Sequence, residues 1–329
     1  MRFRKRSNVG YLYDLQSAMK TSMINLVHQE SRCINTQVSF LLDDEIRALL
    51  KRYNVRPTKK HGQSFLKSQS LARNIVSAAG ISKDDTVLEI GGGLGILTKQ
   101  LVQEAKYVHV VEIDPRLVKF LHHAFIDCDN VSIIEGDALK ISLPSVTKIV
   151  SNLPYSISSE ITFRILREIE FEQAVLMYQK EFAQRLHAIP GTSEYSRLSV
   201  NIGYQAEVEH LLDVPANMFY PVPAVDSVVV RLKHNIQGPR AKSDDVFFWM
   251  INGIFSYPNK HLRKALKIWF RNMKVDKNLT DFVFEYCKEC PKGDERLRNI
   301  AIEKFVNLAD SLLHFIESGE LPDPRGSKL

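Results

Sequence analysis

The sequence predicts an α/β protein with a doubly wound, mostly parallel sheet and a small helical domain at its C-terminal end. From residue 86 to residue 232, short runs of β-branched residues alternate with helical stretches. Beyond residue 240 the strand patterns end and apolar residues recur at helical spacing. With 329 residues, 44% of them hydrophobic, the chain is long enough for one large domain and a smaller one.

Seven segments carry the strand pattern. They are residues 86–90, 107–113, 131–134, 148–152, 173–178, 207–214 and 227–232. We expect a helical stretch between neighbours among the first five, which is the arrangement of a doubly wound sheet. The last two strands leave no room for a helix between them, so they predict an antiparallel pair at one edge.

Apolar residues at helical spacing predict five helices outside this region. One short helix within residues 41–53 leads into the sheet domain. The other four follow a linker at 234–240 and are expected at 244–255, 261–273, 278–288 and 302–318. This pattern divides the chain into an N-terminal extension at 1–56, a Rossmann-like domain at 57–236 and a helical domain at 243–329.

The N-terminal extension is predicted to be partly helical or disordered. It begins with a basic cluster formed by Arg2, Arg4, Lys5 and Arg6. Such a start resembles a transit peptide, but acidic residues further along the extension argue against one. A basic arm, or an upstream start codon chosen in error, is the favoured interpretation.

Composition excludes some classes of protein and favours others. The formal net charge of +6 favours a polyanionic partner, although moderate basicity is common in proteins that bind no nucleic acid. No apolar run approaches the ~18 residues that cross a bilayer, so we expect no membrane association. Four cysteines are too few for a disulfide scaffold, which predicts a reducing cytoplasm. Cys287 and Cys290 form a CxxC without further ligands at zinc spacing, so we expect neither a metal nor a redox role.

A glycine-rich turn after the first predicted strand suggests a cofactor site. Gly91, Gly93 and Gly95 follow the strand at alternate positions, and Glu89 precedes them by two residues. A dinucleotide fingerprint is one residue longer between its last two glycines, and the Glu89 carboxylate would repel a pyrophosphate. A carboxylate suits a cationic ligand, so the charge favours S-adenosyl-L-methionine, which carries an ammonium and a sulfonium.

Further candidate cofactor residues follow in the order that such a site needs. Glu112 ends the second strand, where it can accept hydrogen bonds from ribose hydroxyls, although a solvated acid at a strand end is the alternative. Asp137, followed by Ala138, ends the third strand and can accept the amino hydrogen of adenine. Gln63 and Phe65 lie upstream, and Gln63 is expected to close the pocket over the methionine portion.

The tetrapeptide Asn152-Leu153-Pro154-Tyr155 predicts methyl transfer to a planar amine. The Asn152 amide and the Leu153 carbonyl can accept both hydrogens of an adenine amine and so increase its nucleophilicity. Pro154 stiffens this segment because its φ is fixed, and Tyr155 can stack on the base. Asn152 is also expected to contact the cofactor. Phe219 is the candidate for the opposite face of the base, with a core phenylalanine as the alternative interpretation.

A basic segment in the helical region predicts contact with RNA phosphates. The candidate RNA-binding residues are Lys260, Arg263, Lys264, Lys267 and Arg271. Most of them recur at steps of three or four residues, which places them on one helix face, together with Lys274. A solvated helix face is the alternative interpretation.

Taken in order, these motifs resemble the small-subunit rRNA adenine N6,N6-dimethyltransferase family, often called KsgA. The resemblance covers residues 57–320, includes residues 62–66, 89–98 and 219–227, and is closest to archaeal members. It implies a class I S-adenosylmethionine-dependent methyltransferase that dimethylates two adjacent adenines in the terminal hairpin of small-subunit rRNA. The implied partner is an immature small ribosomal subunit, the implied enzyme is a monomer, and no metal is implied.

Two positions depart from the family pattern. Glu160 stands where proline is common, at a helix start, and Pro258 stands where a basic residue is usual, which bears on rRNA contact. Two alternative functions remain: a large-subunit rRNA adenine methyltransferase, and a non-catalytic ribosome-assembly or transcription factor of the same fold. A DNA adenine methyltransferase would more often carry an acidic first residue and two prolines in the tetrapeptide.

Overall fold

The structure is a computed structural model that describes residues 41–57, 63–276 and 278–326. The chain forms two compact units. The first extends to Ile157 and also includes Ala216–Ala224, whereas the second comprises Ser158–Pro215 and the chain from Val225 onward. These units are defined by contacts, so the functional division expected at residues 57–236 and 243–329 remains a prediction.

Seven strands form the main sheet, and four of them belong to the first unit. They are β2 (Thr86–Ile90), β3 (Tyr107–Glu112), β4 (Val131–Glu135) and β5 (Lys148–Asn152). Their order is β4-β3-β2-β5, and each neighbouring pair is parallel. Parallel pairing brings the carboxyl ends of all four strands to one edge of the sheet, which is where ligands bind in such folds.

Four helices and a two-stranded sheet complete the first unit. The helices are α1 (Asp43–Arg52), α2 (Gln69–Ala78), α3 (Ile96–Glu104) and α4 (Pro115–Ala124). Helix α4 begins where Asp114 accepts the N–H of Arg116 at 3.0 Å, with a proline in the position that needs no donor. In the small sheet, β1 (Phe65–Leu66) pairs antiparallel with β8 (Phe219–Tyr220).

The connection between β4 and β5 differs from the expected helix. Residues 136–147 form turns and bends without a helix. The Asp137 side chain accepts the N–H of Leu139 at 3.0 Å, and its carbonyl accepts the N–H groups of Lys140 and Ile141. This closes a local turn, and Pro144 follows before a helix can propagate. The expectation of a helix here was therefore wrong.

The second unit contributes the antiparallel part of the sheet. β9 (Ser227–His234) lies between β6 (Gln173–Gln179) and β7 (Ala206–Val214) and pairs antiparallel with both. β7 is thus an edge strand, as the sequence predicts. Helix α5 (Ser158–Glu168), which contains Glu160, precedes β6, and helices α6 (Lys180–Leu186) and α7 (Arg197–Gln205) lie between β6 and β7.

Four helices complete the second unit. They are α8 (Asp244–Ile254), α9 (Leu262–Asn272), α10 (Leu279–Tyr286) and α11 (Ile302–Glu317). Phe247, Phe270 and Phe305 are fully buried in their common core. All four predicted helices and all seven predicted strands are present with shifts of at most two residues at either end. The helix expected within residues 41–53 is α1, whereas the basic cluster at Arg2–Arg6 lies outside the described residues.

The two cysteines of the CxxC segment also differ from the expectation. Cys287 and Cys290 form a disulfide, whereas the cysteine content predicts a reducing environment. The reason is local: α10 ends at Tyr286, and the extended backbone at Cys287 (φ −91°, ψ 98°) turns the chain so that the two Cα atoms lie 5.4 Å apart. Among the described residues, no group of three or more His, Cys, Asp or Glu side chains could hold a metal, and no helix is long and apolar enough to cross a membrane.

A close contact between α8 and α9 generates a stability prediction. A Cβ atom at Gly253 would lie 2.2 Å from Cε2 of Trp269, a largely buried ring. Gly253→Ala gains helix propensity, but the overlap outweighs this gain, so we expect a loss of about 1–3 kcal/mol in the free energy of unfolding. Denaturant titration measures it. Asn252→Ala, at an exposed neighbouring position, is the control, and equal effects of the two changes would contradict the packing argument.

Candidate active site

A cavity in the first unit collects most of the predicted site residues. It lies at the carboxyl ends of β2, β3 and β5, and its walls come mainly from residues 63–66, 89–94, 111–113, 136–139 and 152–154. These segments include every predicted cofactor residue except Gly95. Since the residues come from separate parts of the chain, the parallel sheet is what assembles the cavity.

The glycine turn forms one wall of the cavity. Gly91 has φ 83°, a conformation that favours glycine, and a Cβ atom there would lie 3.3 Å from the Pro154 ring. Gly95 caps α3 at φ 69° and faces Phe125, which a Cβ atom would approach to 2.8 Å. Gly91 therefore lets the glycine turn approach the tetrapeptide that begins at Asn152, whereas Gly95 serves the packing of the turn.

Glu89 is a buried carboxyl group that lines the cavity. Its side chain is 1% exposed, and Oε2 accepts a hydrogen bond from the Thr98 hydroxyl at 2.6 Å. Burial raises the pKa of Glu89 to about 8, the Thr98 hydrogen bond opposes this rise, and the charge of Glu112 adds to it. A cation in the cavity would offset the cost of ionising this carboxyl, so the site fits a positively charged ligand.

Glu112 is held by backbone donors at the end of β3. Its carboxylate accepts N–H groups from Gly93 at 3.0 Å, from Ile113 at 2.9 Å and from Asp114 at 3.0 Å. Burial raises the pKa of Glu112, and these three hydrogen bonds oppose the rise. The contact with Gly93 connects β3 to the glycine turn, so the ends of β2 and β3 form one unit of the site.

The remaining predicted cofactor residues have partners at the cavity. Oδ1 of Asp137 accepts the N–H of Leu139, and its other oxygen lies 3.3 Å from the Lys140 ammonium. The Gln63 side chain forms a hydrogen bond with Asp114, which brings it near the end of β3. Phe65 and Ala138 are both buried and line the wall.

Asn152 presents an unsatisfied acceptor. Its Nδ2 donates to the carbonyl of Ser64 at 3.3 Å, whereas Oδ1 is buried and has no hydrogen-bond partner among the described residues. A buried polar atom without a partner costs free energy, so an unpaired oxygen at the cavity indicates a place for a ligand donor. Leu153 and Pro154 line the same wall, and Leu153 is almost fully buried.

Two predicted aromatic residues do not line the cavity. Tyr155 begins a single 3₁₀ turn, Tyr155–Ile157, and is half-buried. Phe219 lies on β8 opposite Leu66 and is 0% exposed. Stacking on a substrate base requires both rings to become accessible from the cavity, and their assigned roles remain predictions.

The predicted basic residues lie on or just before α9. Lys260, Lys264 and Arg271 are exposed. Arg263 and Lys267 both pair with Asp281 of α10, Lys267 at 3.3 Å, and the Arg263 guanidinium also lies 4.4 Å from the Phe284 ring. Pro258 is exposed in the turn before α9. Helix α9 therefore carries the exposed cations Lys264 and Arg271 beside two cations that share one acid, a distinction that residue spacing did not reveal.

Sequence reasoning missed two residues of the site. Thr98 follows Glu89 by nine residues and binds its carboxyl group, and Ser64 orients the Asn152 amide through its carbonyl. Both residues lie in segments that carry the family resemblance, 62–66 and 89–98. Nothing in the sequence, however, links the backbone carbonyl of Ser64 to the Asn152 side chain or the Thr98 hydroxyl to the Glu89 carboxyl group.

Comparison with known proteins agrees with this geometry. Residues 54–307 match the family described as ribosomal RNA adenine dimethylase. The chain belongs to this family. It is therefore an S-adenosylmethionine-dependent rRNA adenine dimethyltransferase with a Rossmann-like sheet, as the sequence motifs predict. This confirms the expected family, fold class and methyl donor.

Two similar curated proteins come from archaea. The chain is 44% identical to the probable ribosomal RNA small subunit methyltransferase A of Methanosarcina mazei, over 67% of this chain and 81% of that protein. It is 39% identical to the protein of the same description from Methanococcus maripaludis, over 77% of this chain and 100% of that protein.

Solved structures of related enzymes have the same fold. A dimethyladenosine transferase from Plasmodium falciparum is 31% identical, with a TM-score of 0.66 over 78% of this chain and 98% of that chain. The 23S rRNA methyltransferase ErmE is 27% identical, with a TM-score of 0.56 over 75% of this chain and 99% of that chain. The dimethyltransferase fold therefore extends over most of the chain.

The ionisation of Glu89 generates a prediction about cofactor binding. A bound cation favours the carboxylate, so binding should release a proton and the affinity for S-adenosylmethionine should rise as the pH rises towards about 8, then level off. Without cofactor, rising pH has the opposite effect on the stability of the fold. Because the pKa of Glu89 is raised in the folded state, the folded protein binds a proton that the unfolded chain has already released. The free energy of unfolding therefore falls as the pH rises from the ordinary glutamate pKa towards about 8.

Calorimetric titration with S-adenosylmethionine between about pH 6 and pH 9 measures both the affinity and the released proton. Glu89→Gln should bind more weakly with a much flatter pH dependence. An unchanged pH profile in Glu89→Gln would show that another group carries the proton.

Proposed function

We propose that this dimethyltransferase modifies N6 of two adjacent adenines in the 3′-terminal hairpin of small-subunit rRNA, within an immature small ribosomal subunit. The names of the archaeal relatives support the small subunit as the substrate. We also propose that the enzyme acts as a monomer in the cytoplasm. The observation that carries the proposed chemistry is the buried, unpaired Oδ1 of Asn152 at the cavity.

The Asn152 oxygen offers an acceptor for an amine that is a weak nucleophile. The lone pair of an adenine amine is delocalised into the ring. In the proposed mechanism, Asn152 Oδ1 accepts one amine hydrogen and the Leu153 carbonyl accepts the other, which favours a tetrahedral, nucleophilic nitrogen. The hydrogen bond from Asn152 Nδ2 to the Ser64 carbonyl fixes the orientation of the amide, and Oδ1 remains available as the acceptor. Catalysis then comes from position and hydrogen bonding.

The cavity residues fit the methyl donor. When bound, S-adenosylmethionine supplies an electrophilic methyl group on its sulfonium. We assign Glu112 to the ribose, Asp137 and Ala138 to the adenine, and Glu89 to the cationic methionine portion. The supporting observation is the burial of two carboxyl groups in a cavity where a cation would stabilise their ionised forms. Gln63, Phe65, Gly91 and Gly93 complete the proposed contacts.

Tyr155 and Phe219 are proposed to hold the target base once it leaves its stack. Both follow or precede proline-containing segments, and neither lines the cavity in the described structure. Their role therefore belongs to the substrate-bound enzyme. Extrusion of a base and its clamping by aromatic rings is common in enzymes that modify nucleobases.

The helical region is proposed to bind rRNA through α9. The exposed cations Lys260, Lys264 and Arg271 support phosphate contact, while Arg263 and Lys267 contribute if Asp281 releases them. Phosphate contacts position a protein on RNA, and the shape of the hairpin would select the site. The similarity to ErmE keeps large-subunit rRNA as the alternative substrate.

The first test is methyl transfer to small-subunit rRNA. Wild-type protein incubated with immature subunits and labelled methyl donor should yield N6,N6-dimethyladenosine at adjacent positions, as measured by mass spectrometry.

Asn152→Ala should retain cofactor binding and lower the single-turnover rate about 100-fold or more, because one preorganised acceptor is removed. Tyr155→Phe should be nearly silent, whereas Tyr155→Ala should slow transfer. A fast Asn152→Ala enzyme would contradict the assignment, and modification of large-subunit rRNA alone would favour the alternative substrate.

The second test concerns α9. Changing Lys264 and Arg271 together to glutamine should weaken binding to immature subunits and reduce the slope of log affinity against log salt by about 0.7–0.9 for each phosphate that the variant no longer neutralises. Filter binding at several salt concentrations measures this slope. The control changes two other exposed lysines of the same unit, Lys233 and Lys288, to glutamine. Equal slopes for the two double variants would mean that α9 contributes only general charge.

A further inference from the structure

Helix α1 lies outside the family match yet packs as part of the first unit. The match begins at residue 54, whereas α1 ends at Arg52. Its apolar face is buried, with Ile46 0% and Leu50 4% exposed. Helix α1 therefore packs into the unit that contains the cavity, although it precedes the residues that match the family.

Helix α1 makes polar contacts with the small β1–β8 sheet. The Asp43 carboxylate lies 2.9 Å from the Lys67 ammonium, just after β1, and the Lys67 side chain is only 9% exposed. Arg47 donates from Nε to the Tyr220 hydroxyl on β8 at 3.1 Å, with its guanidinium carbon 5.6 Å from the ring centroid. Both strands of the small sheet are thus tied to the same helix.

The small sheet in turn contacts the site. Ser64, Phe65 and Leu66 line the cavity. The Ser64 hydroxyl donates to the Pro221 carbonyl at 2.7 Å, and its own carbonyl accepts Nδ2 of Asn152 at 3.3 Å. The Lys67 N–H donates to the Met218 carbonyl at 2.9 Å. A continuous series of contacts therefore runs from α1 through β1 and β8 to the amide that presents the unpaired acceptor.

We propose that α1 is a brace for the active site and that Asp43 and Arg47 are positioning residues. They hold β1 and β8 in place so that the Ser64 carbonyl fixes the orientation of the Asn152 amide. A pair of two-residue strands has little stability of its own, so support from outside decides where it lies. This inference rests on the proposed role of Asn152 and extends it to residues that never touch a substrate.

Of these two polar interactions, the one with Lys67 carries more weight. Arg47 is largely exposed, and solvent-exposed polar contacts contribute little. Lys67 is buried, so removing the Asp43 charge leaves a buried ammonium with less compensation. Asp43→Asn is therefore the primary variant. Asp84→Asn is its matched control, because Asp84 is an exposed aspartate of the same unit that lies outside α1 and the small sheet.

The experiment uses the full chain and three measurements. In the free protein, hydrogen exchange should be faster at the Lys67 amide in Asp43→Asn than in Asp84→Asn. Calorimetry should show S-adenosylmethionine binding weakened about three- to tenfold, and single-turnover methyl transfer at saturating cofactor should fall by a similar factor. Asp43→Glu should restore much of each. Tyr220→Phe, which removes the acceptor for Arg47, should give a smaller effect in the same direction.

Two results would overturn the brace. One is Asp43→Asn matching Asp84→Asn in exchange, cofactor affinity and transfer rate. The other is a lowered melting temperature with affinity and rate unchanged well below it, which would make α1 a stabilising cap only. Failure of the proposed function gives a separate result: wild-type protein that does not methylate rRNA leaves the exchange and cofactor-binding measurements intact.

Discussion

Parallel pairing of β2 with β3 and β5 is the constraint that creates the active site. It aligns Ile90 with Val111 and Leu88 with Ile149, so the three strands end at one edge. The segments that follow these ends, at residues 91–95, 113–114 and 153–155, are then brought together although some 60 positions separate the first from the last. A shift in register would move Glu112 away from the N–H of Gly93 and separate the glycine turn from the tetrapeptide.

Buried polar groups are concentrated at the same edge of the sheet. Glu89 and Glu112 are buried carboxyl groups whose pKa values are raised, and Asn152 keeps a buried oxygen without a partner among the described residues. In a folded protein such groups cost free energy, which neighbouring hydrogen bonds such as that from Thr98 only partly offset. A cationic cofactor would stabilise the ionised carboxyl groups, and an amine donor would pair with the Asn152 oxygen, so ligand binding would offset part of this free-energy cost.

Support for the site comes from elements that carry no chemistry. The β1–β8 pair supplies the carbonyl that orients Asn152, and α1 contacts that pair through Lys67 and Tyr220. In the second unit, Arg263 and Lys267 share the Asp281 carboxylate, whereas Lys264 and Arg271 are exposed on the same helix. Local partners therefore decide which of several similar side chains is available to a ligand.

Residue patterns were enough to predict the family, the seven strands of the main sheet, the four C-terminal helices and most of the cavity residues, because hydrophobic periodicity and short motifs depend on neighbours in the chain. They located β2 and β5 to the residue and identified Asn152, Glu89 and Glu112 as a set. The folded chain was needed to show that residues 136–147 form turns, that Phe219 is buried on a strand of the small sheet, and that Cys287 and Cys290 pair. It was also needed to show that Ser64 contacts Asn152, that Thr98 contacts Glu89, and that α1 contacts the small sheet. Those outcomes depend on contacts between residues far apart in sequence or on the local ending of an element, which residue type and spacing do not encode.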